Sequence, residues 1–283
     1  MANKRGGEKM TKDRKKAVVE EILDRKREII RRLSVRRSMR DAVLNAKNAG
    51  KCAVIAEVKR RGLNGRQQFR VRNGGYNRSM HVYESAAEIA RSMEGGGACA
   101  ISVLTESAFL GDLSDLREVK AAVRVPVLRK DFIFDEFQVV ESYASGADAI
   151  LLIARILSVD DMKSLALKAR SLGMETLVEV DRVSAENIRH IDEIGDIASL
   201  LGVNNRDIFT LEVDISTFES LAHSLRDAFP DVPLVAMSGV KSAEDAARMF
   251  AAGADAVLVG TAIMESDDIK AKVREIVKCA ERG

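Results

Sequence analysis

Two charged residues stand at the end of an apolar run near the start of the chain. Glu57 and Lys59 follow the apolar residues 53–55. In a β-strand, side chains two residues apart point to the same face, so both charges share the face of Ile55. A carboxylate and an ammonium held together on an inward face can bind a charged substrate or transfer protons.

Similar polar residues end three further apolar runs. Lys130 follows the run 126–129, Glu179 lies near the end of 175–180, and Asn204 and Arg206 follow 199–203. Unpaired buried charges cost several kcal/mol. We therefore expect these groups to converge around one bound substrate.

Histidine is absent from the ends of these runs. His81, His190 and His223 fall in a loop or in helical patterns, which gives a histidine metal site or a Ser-His-Asp triad no natural place. Proton transfer would then use Lys and Glu, whose pKa values burial and neighbouring charges can move toward neutrality.

Two glycine-containing segments indicate a phosphate-binding site. Ser238 and Gly239 follow the run 233–237, and Gly260 and Thr261 follow the run 255–259. Backbone amides at such glycines can approach an anion closely, and many barrels hold phosphate after their seventh and eighth strands.

A recurrent junction indicates which elements position these residues. The segments "EGGGACAISV", "ASGADAILLI" and "AAGADAVLVG" each join the end of an amphipathic stretch, a Gly and a short apolar run, as expected where a helix leads into a buried strand. Eight strands are predicted, at 53–58, 99–104, 126–129, 148–153, 175–180, 199–203, 233–237 and 255–259. Eight helices are predicted between and after them, at 83–94, 114–123, 136–145, 158–172, 184–194, 215–228, 242–252 and 267–280.

This alternation predicts an α/β fold, a single (β/α)8 TIM barrel with an N-terminal helical extension. An open doubly wound sheet is the alternative, but no G-x-G-x-x-G turn follows the first strand. We expect a basic disordered tail over 1–16 and one domain over 17–283, with the extension at 17–47.

The composition of the chain limits the classes of molecule that it is expected to bind. The chain has 283 residues, and its 45 Lys and Arg nearly balance its 43 Asp and Glu, which favours neither nucleic acid nor a strongly acidic partner. The sequence has no apolar window of about 18 residues, and its first residues lack the apolar core of a signal peptide, so we expect no membrane association and a cytoplasmic location. The three cysteines, Cys52, Cys99 and Cys279, are expected to be free thiols.

The chain also resembles the indole-3-glycerol phosphate synthases of tryptophan biosynthesis. The similarity runs from about residue 20 to the C-terminus through "VIAEVK", "AISVLTE", "PVLRKDFI", "ADAILLI", "LVEV", "GVNNRDIFTLEVD", "SGV" and "AVLVGTAIM". It implies a lyase, free of cofactor and metal, that closes the indole ring of 1-(2-carboxyphenylamino)-1-deoxyribulose 5-phosphate with loss of carbon dioxide and water. The oligomeric state is left open, as a monomer or a loose association with other enzymes of that pathway.

Site roles follow from the resemblance residue by residue. Lys130 matches the general acid for ring closure, and Glu179 matches the general base for dehydration. Lys59 matches the ammonium that holds the substrate carboxylate, and Glu57 the group that orients the lysines.

The same resemblance implies a substrate-binding wall. Asn204 and Arg206 complete the polar side, and Phe109 packs the anthranilate ring on a loop about one residue shorter than usual. The phosphate cradle is matched by Ser238, Gly239, Gly260 and Thr261.

Departures from the family pattern leave alternatives open. Gly62, Leu63 and Asn64 replace the usual Ser-Pro-Ser, and Met237 replaces a Glu. The loss of that Glu carboxylate is expected to lower the pKa values of Lys59 and Lys130. We expect one or more arginines of the following loop to replace the lost serine contact, from the set Arg66, Arg70, Arg72 and Arg78.

Two other functions are weighed, a phosphate-binding barrel without turnover and a related phosphosugar isomerase. The isomerase would favour Cys or Asp at the strand ends where this chain has Glu. In the family the N-terminal extension packs over the barrel mouth, and we expect the same of residues 17–47.

Overall fold

Eight parallel strands form a closed barrel in which each strand pairs with the next and β8 pairs with β1. The computed structural model describes residues 12–60, 85–185 and 197–279. The strands are β1 Ala53–Val58, β2 Ala100–Leu104, β3 Val127–Lys130, β4 Ala149–Ile153, β5 Glu175–Val180, β6 Leu200–Asn204, β7 Leu234–Met237 and β8 Ala256–Val259. The predicted (β/α)8 barrel is confirmed, and the strand bounds agree within one residue.

Helices surround the barrel and precede it. They are α1 Lys12–Ser34, α2 Met39–Asn48, α3 Ala86–Gly96, α4 Leu113–Ala122, α5 Glu136–Ala144, α6 Val159–Ser171, α7 Ser216–Ala228, α8 Ala243–Ala251, α9 Thr261–Met264 and α10 Ile269–Val277. Most of the predicted helix 184–194, and the predicted tail up to residue 11, lie outside the described residues. No helix in the described ranges is long and apolar enough to cross a membrane.

The glycine junctions have the backbone that the repeat predicts. Gly146 before β4 has φ +90°, and Gly253 before β8 has φ +100°. This left-handed conformation ends a helix at little cost only for Gly. Each junction therefore turns the chain from an outer helix into a barrel strand.

Side chains alternate between two cores along each strand. Ile55, Leu128, Leu177 and Val235 belong to a cluster inside the barrel, whereas neighbours such as Val54 pack against the outer helices. Because Glu57, Lys130 and Glu179 lie two residues beyond the first three of these, the same alternation carries them to the inward face at the carboxyl end.

Helix α2 closes the opposite end of the barrel. The amides of Met39 and Arg40 donate to Glu175 Oε2 at 2.6 and 3.0 Å, and Lys47 Nζ lies 2.6 Å from Asp255 Oδ1. These carboxylates lie at the start of β5 and immediately before β8, and Met39 joins the interior cluster. The expectation that 17–47 packs over the mouth is therefore wrong for α2, because its apolar residues plug the amino-terminal end.

A disulfide joins the two ends of the barrel chain. Cys52, immediately before β1, is bonded to Cys279, just beyond α10, across 227 residues of sequence. The expectation of three free thiols is thus wrong for this pair and holds for Cys99. The pairing follows from closure of the barrel, which brings distant chain segments together, so cysteine spacing alone did not reveal it.

Candidate active site

A cavity of about 910 Å³ opens at the carboxyl ends of the strands. This size suits a ligand of a few hundred daltons, since small-molecule pockets commonly span about 300–1,000 Å³. All eleven residues selected from the sequence line it, namely Glu57, Lys59, Phe109, Lys130, Glu179, Asn204, Arg206, Ser238, Gly239, Gly260 and Thr261.

Glu57 and Lys130 form an ion pair across the mouth. Lys130 Nζ lies 3.9 Å from Glu57 Oε2, and both side chains are largely buried, 23% and 7% exposed. Burial, the largest influence, lowers the pKa of Lys130, but attraction to Glu57 and Glu179 outweighs it and leaves that pKa raised. The ammonium is therefore protonated at neutral pH and can donate a proton.

Lys59 stands beside an aromatic ring at the same opening. Its Nζ lies 6.0 Å from the centroid of the Phe109 ring, at the outer limit of a cation–π contact. Burial lowers the pKa of Lys59, Glu57 opposes that effect, and the charges of Lys130 and Arg206 lower it further. An anionic group of a ligand would relieve this crowding of positive charge.

Asn204 fixes the orientation of Glu179. The amide of Arg206 donates to Asn204 Oδ1 at 3.0 Å, which directs the Asn204 NH2 group toward Glu179 Oε1 at 2.8 Å. The other oxygen, Glu179 Oε2, is buried and has no hydrogen-bond partner within the part of the chain that the structure describes. Burial raises the pKa of Glu179, while Lys130 and Asn204 lower it less strongly, so this carboxylate is poised to take a proton.

Ser238 and Gly239 adopt left-handed backbone conformations after β7. Their φ angles are +65° and +83°, and for a non-glycine residue such as Ser238 this conformation is uncommon. Asn205 supports the turn, because its Nδ2 donates to the Ser238 carbonyl at 3.0 Å while its Oδ1 accepts from the Phe218 amide. Asn205 was not among the residues selected from the sequence, because its positioning role depends on contacts with distant segments.

Gly260 makes room for a site carboxylate. A Cβ atom at this position would lie 2.6 Å from Glu57 Oε1, closer than atoms can pack. The sequence had selected Gly260 only for close approach of a phosphate. The structure adds that the glycine permits the inward position of Glu57, while Thr261 begins α9 beside it.

Comparison with known proteins agrees with this arrangement. The family model described as indole-3-glycerol phosphate synthase matches residues 7–276. The chain belongs to the indole-3-glycerol phosphate synthase family. It is therefore a lyase of tryptophan biosynthesis.

Individual relatives cover most of both chains. The indole-3-glycerol phosphate synthase of Nocardioides sp. is 42% identical over 239 residues, 84% of each chain. That of Desulforamulus reducens is 34% identical over 94% of this chain and 99% of its own. A thiamine phosphate pyrophosphorylase from Pyrococcus furiosus, 15% identical with a TM-score of 0.57 over 87% of this chain and 98% of its own, shares the fold.

Met237 occupies the position at which the indole-3-glycerol phosphate synthase family usually has Glu. It is buried, and a Cβ at Gly202 would lie 2.4 Å from its sulfur. Gly202 thus provides the space that the thioether fills. Burial is the main cause of the lowered pKa of Lys59, and Glu57 and Glu179 leave the pKa of Lys130 raised, so the effect of the missing carboxylate on the two lysines stays a prediction.

Several cavity residues were not selected from the sequence. Lys241 follows the Ser238 turn, and Lys272 reaches the cavity from α10, where its Nζ lies 3.0 Å from Glu275 Oε1. Glu265 lines the same wall. The sequence patterns around these residues did not indicate a binding role, because only the folded barrel brings α10 beside the end of β8.

Arg129 of β3 pairs with the outer layer instead of lining the cavity. Arg129 lies 3.0 Å from Asp131 and 2.9 Å from Glu141 of α5, an ion-pair network between β3 and its helix.

The four arginines proposed to replace the Ser-Pro-Ser contact lie outside the described residues, so that hypothesis stays a prediction. No group of metal-ligating side chains occurs within 12–60, 85–185 and 197–279.

Proposed function

We propose that this chain closes the indole ring of 1-(2-carboxyphenylamino)-1-deoxyribulose 5-phosphate. The ring carbon that bears the carboxylate attacks the keto carbon, whose oxygen accepts a proton. Carbon dioxide then leaves, and the electrons of its bond return to the ring. Finally, the new hydroxyl leaves as water while a base removes a proton, which makes the five-membered ring aromatic.

Lys130 is the proposed acid for ring closure. Its raised pKa keeps the proton at neutral pH, and its side chain lies at the mouth between two carboxylates. Glu57, 3.9 Å away, would hold the ammonium in place during the reaction. General acid catalysis by a positioned group typically contributes about 10²–10⁴-fold in rate.

Lys59 is proposed to bind the substrate carboxylate, with the anthranilate ring near Phe109. The lowered pKa of Lys59 reflects burial near two other cations, a setting that favours an anionic ligand. Holding the carboxylate beside the attacked carbon would also favour the conformation that reacts.

Glu179 is the proposed base for dehydration. Asn204 binds one of its oxygens and leaves Oε2 buried without a partner among the described residues. An unpartnered buried carboxylate oxygen is costly, and a substrate proton would satisfy it. This arrangement is the observation on which the proposal chiefly rests.

The turns after β7 and β8 are proposed to hold the phosphate. The backbone of Gly239, the backbone of Thr261 and the Ser238 hydroxyl could donate to its oxygens. Lys241 and Lys272 line the same cavity and would add positive charge. The substrate would then extend from this cradle toward Lys130.

A direct assay tests the proposal. Purified protein mixed with the ribulose phosphate substrate should yield indole-3-glycerol phosphate with loss of substrate fluorescence, and Lys130→Met should reduce kcat by about 10²–10⁴-fold. Lys168→Met is the matched control, because Lys168 lies on α6 and pairs with Glu136 at 3.7 Å. Folded wild-type protein that forms no product at high concentration would refute the assignment.

The rival functions are not favoured. Membership of a synthase family over most of the chain argues against the isomerase, as do Glu57 and Glu179 at the ends of β1 and β5. A binding barrel without turnover would not need an oriented base. The cytoplasmic location and the association with other pathway enzymes stay predictions.

A further inference from the structure

The proposed acid lies at the weakly paired end of a short strand. β3 has four residues, and Lys130 is the last of them. Lys130 pairs with Leu104 of β2, but within the described strands the ladder between β3 and β4 pairs Leu128 and Arg129 and stops before Lys130. Strand ends with few hydrogen bonds open easily. A displacement of about 1 Å in an active site can cost about 10²-fold in rate, so other contacts have to hold the acid in place.

The residues on either side of Lys130 are bound to each other. Arg129 Nη2 donates to Asp131 Oδ2 at 3.0 Å, and both side chains are buried. Arg129 Nη1 also donates to Glu141 Oε2 of α5 at 2.9 Å, which anchors the ion pair in the outer helix layer. The backbone of Lys130 is therefore held between two residues that cannot shift independently.

Thr105 binds the same segment from the neighbouring strand. It directly follows β2, and its amide donates to the carbonyl of Lys130 at 3.1 Å. Its hydroxyl donates to Asp131 Oδ2 at 2.5 Å, and both residues are buried. A hydrogen bond to an ionised carboxylate is stronger than a neutral one. Thr105 thus holds both the acid and the carboxylate beside it.

Both oxygens of Asp131 are engaged by the protein itself. Oδ1 accepts from the amide of Phe132 at 2.8 Å, and Oδ2 accepts from Thr105 and Arg129. Asp131 lines the cavity, but these donors already occupy its carboxylate. Its arrangement suits a residue that holds its neighbours rather than one that binds a ligand.

Thr105 also begins the loop that carries Phe109. This loop returns to the end of β2 at Gly111, where a Cβ atom would lie 2.2 Å from the Leu104 carbonyl oxygen. Glycine at residue 111 therefore lets the loop pack directly on the strand. The ring of Phe109 stands 6.0 Å from Lys59 Nζ, so Thr105 connects the acid to the aromatic wall of the cavity.

We propose that Thr105 and Asp131 are positioning residues that hold the acid Lys130 in its reactive place. They act through the backbone on both sides of Lys130 and transfer no proton themselves. The inference rests on the acid role proposed above for Lys130. Its experiments therefore include one that does not depend on turnover.

Removal of one hydroxyl tests the proposal. Thr105→Val keeps the branched shape of the side chain and the amide that binds Lys130, and it removes the hydrogen bond to Asp131. We expect kcat to fall by about tenfold or more, with KM unchanged because the proposed contacts to the substrate carboxylate and phosphate are untouched. Thr105→Ser keeps the hydroxyl and should restore most of the lost rate.

Thr176→Val is the matched control. Thr176 lies near the start of β5, where its buried hydroxyl donates to the Ile197 carbonyl at 2.6 Å. Loss of this hydrogen bond should lower the melting temperature about as much as Thr105→Val does, with kcat unchanged. An equal fall of kcat in both variants would show a general effect of stability and overturn the positioning role.

Amide hydrogen exchange of the free protein tests the same hydrogen bond without turnover. In Thr105→Val the amides of residue 105 and Phe132 should exchange faster than in wild type, because the segment that holds their acceptors is loosened. In Thr176→Val both should exchange at the wild-type rate. Wild-type protein that forms no product would refute the proposed function, and the exchange rates would still decide whether Thr105 holds this segment.

A change of charge separates position from electrostatics. Burial lowers the pKa of Lys130, and Asp131 is among the charges that raise it, after Glu57 and Glu179. Asp131→Asn should therefore move the alkaline limb of kcat to lower pH, whereas Thr105→Val should lower kcat and leave that limb in place. An unchanged kcat in Thr105→Val would overturn the proposal, as would an alkaline limb that stays fixed in Asp131→Asn.

Discussion

Replacing Glu57 by Gln should make the proposed acid titrate within an accessible pH range. Lys130 Nζ lies 3.9 Å from Glu57 Oε2, and a pair at that distance attracts by at most about 4 kcal/mol at an effective dielectric constant of 20. Because Lys130 is 23% exposed, solvent reduces this value. Gln keeps the shape beside Gly260 and removes the charge.

The sign of the effect follows from what sets the pKa of Lys130. Burial lowers it, and the carboxylates of Glu57 and Glu179 leave it raised. Without Glu57, burial should dominate and the pKa should fall. Since the acid must be protonated, the alkaline limb of kcat should move to lower pH by at least about one unit.

The assay is kcat against pH, followed by the fluorescence of the ribulose phosphate substrate at saturation. Glu265→Gln is the matched control, because this cavity carboxylate acts on Lys59. It should leave the alkaline limb in place. An alkaline limb of Glu57→Gln that stays fixed, or moves to higher pH, would show that the pair does not govern the acid.

Three further changes probe the supports of the site and the fold. Asn204→Leu removes the 2.8 Å hydrogen bond to Glu179, so the pKa of Glu179 should rise further. The acid limb of the kcat profile should then move to higher pH. An acid limb that does not move would argue against Glu179 as the base. Gly260→Ala would place a Cβ 2.6 Å from Glu57 Oε1 and force the carboxylate to move. We expect kcat to fall by about 10²-fold with little change in melting temperature. An unchanged kcat would show that the position of Glu57 does not depend on glycine at residue 260. Cys52→Ala removes a disulfide that spans 227 residues and should destabilise the fold by about 2–5 kcal/mol. Under non-reducing conditions the melting temperature should fall by roughly 5–15 °C. Equal melting temperatures of the variant and the wild type would show that the disulfide does not stabilise the protein.

The sequence alone determined the barrel and which residues face its mouth. Strand alternation is a local property, so Glu57 and Lys130 could be assigned to the inward face from their distance to Ile55 and Leu128. The glycine junctions are local as well, because a left-handed helix end demands Gly wherever it occurs. These rules need no knowledge of neighbouring chain segments.

Only the tertiary structure decided the contacts between segments distant in the chain. Barrel closure pairs Cys52 with Cys279 and sets α2 against the amino-terminal ends of the strands. It also decides the pKa of Lys130, whose direction depends on how many carboxylates surround it. Pattern and propensity act over a few residues, whereas these properties depend on distances across the folded barrel.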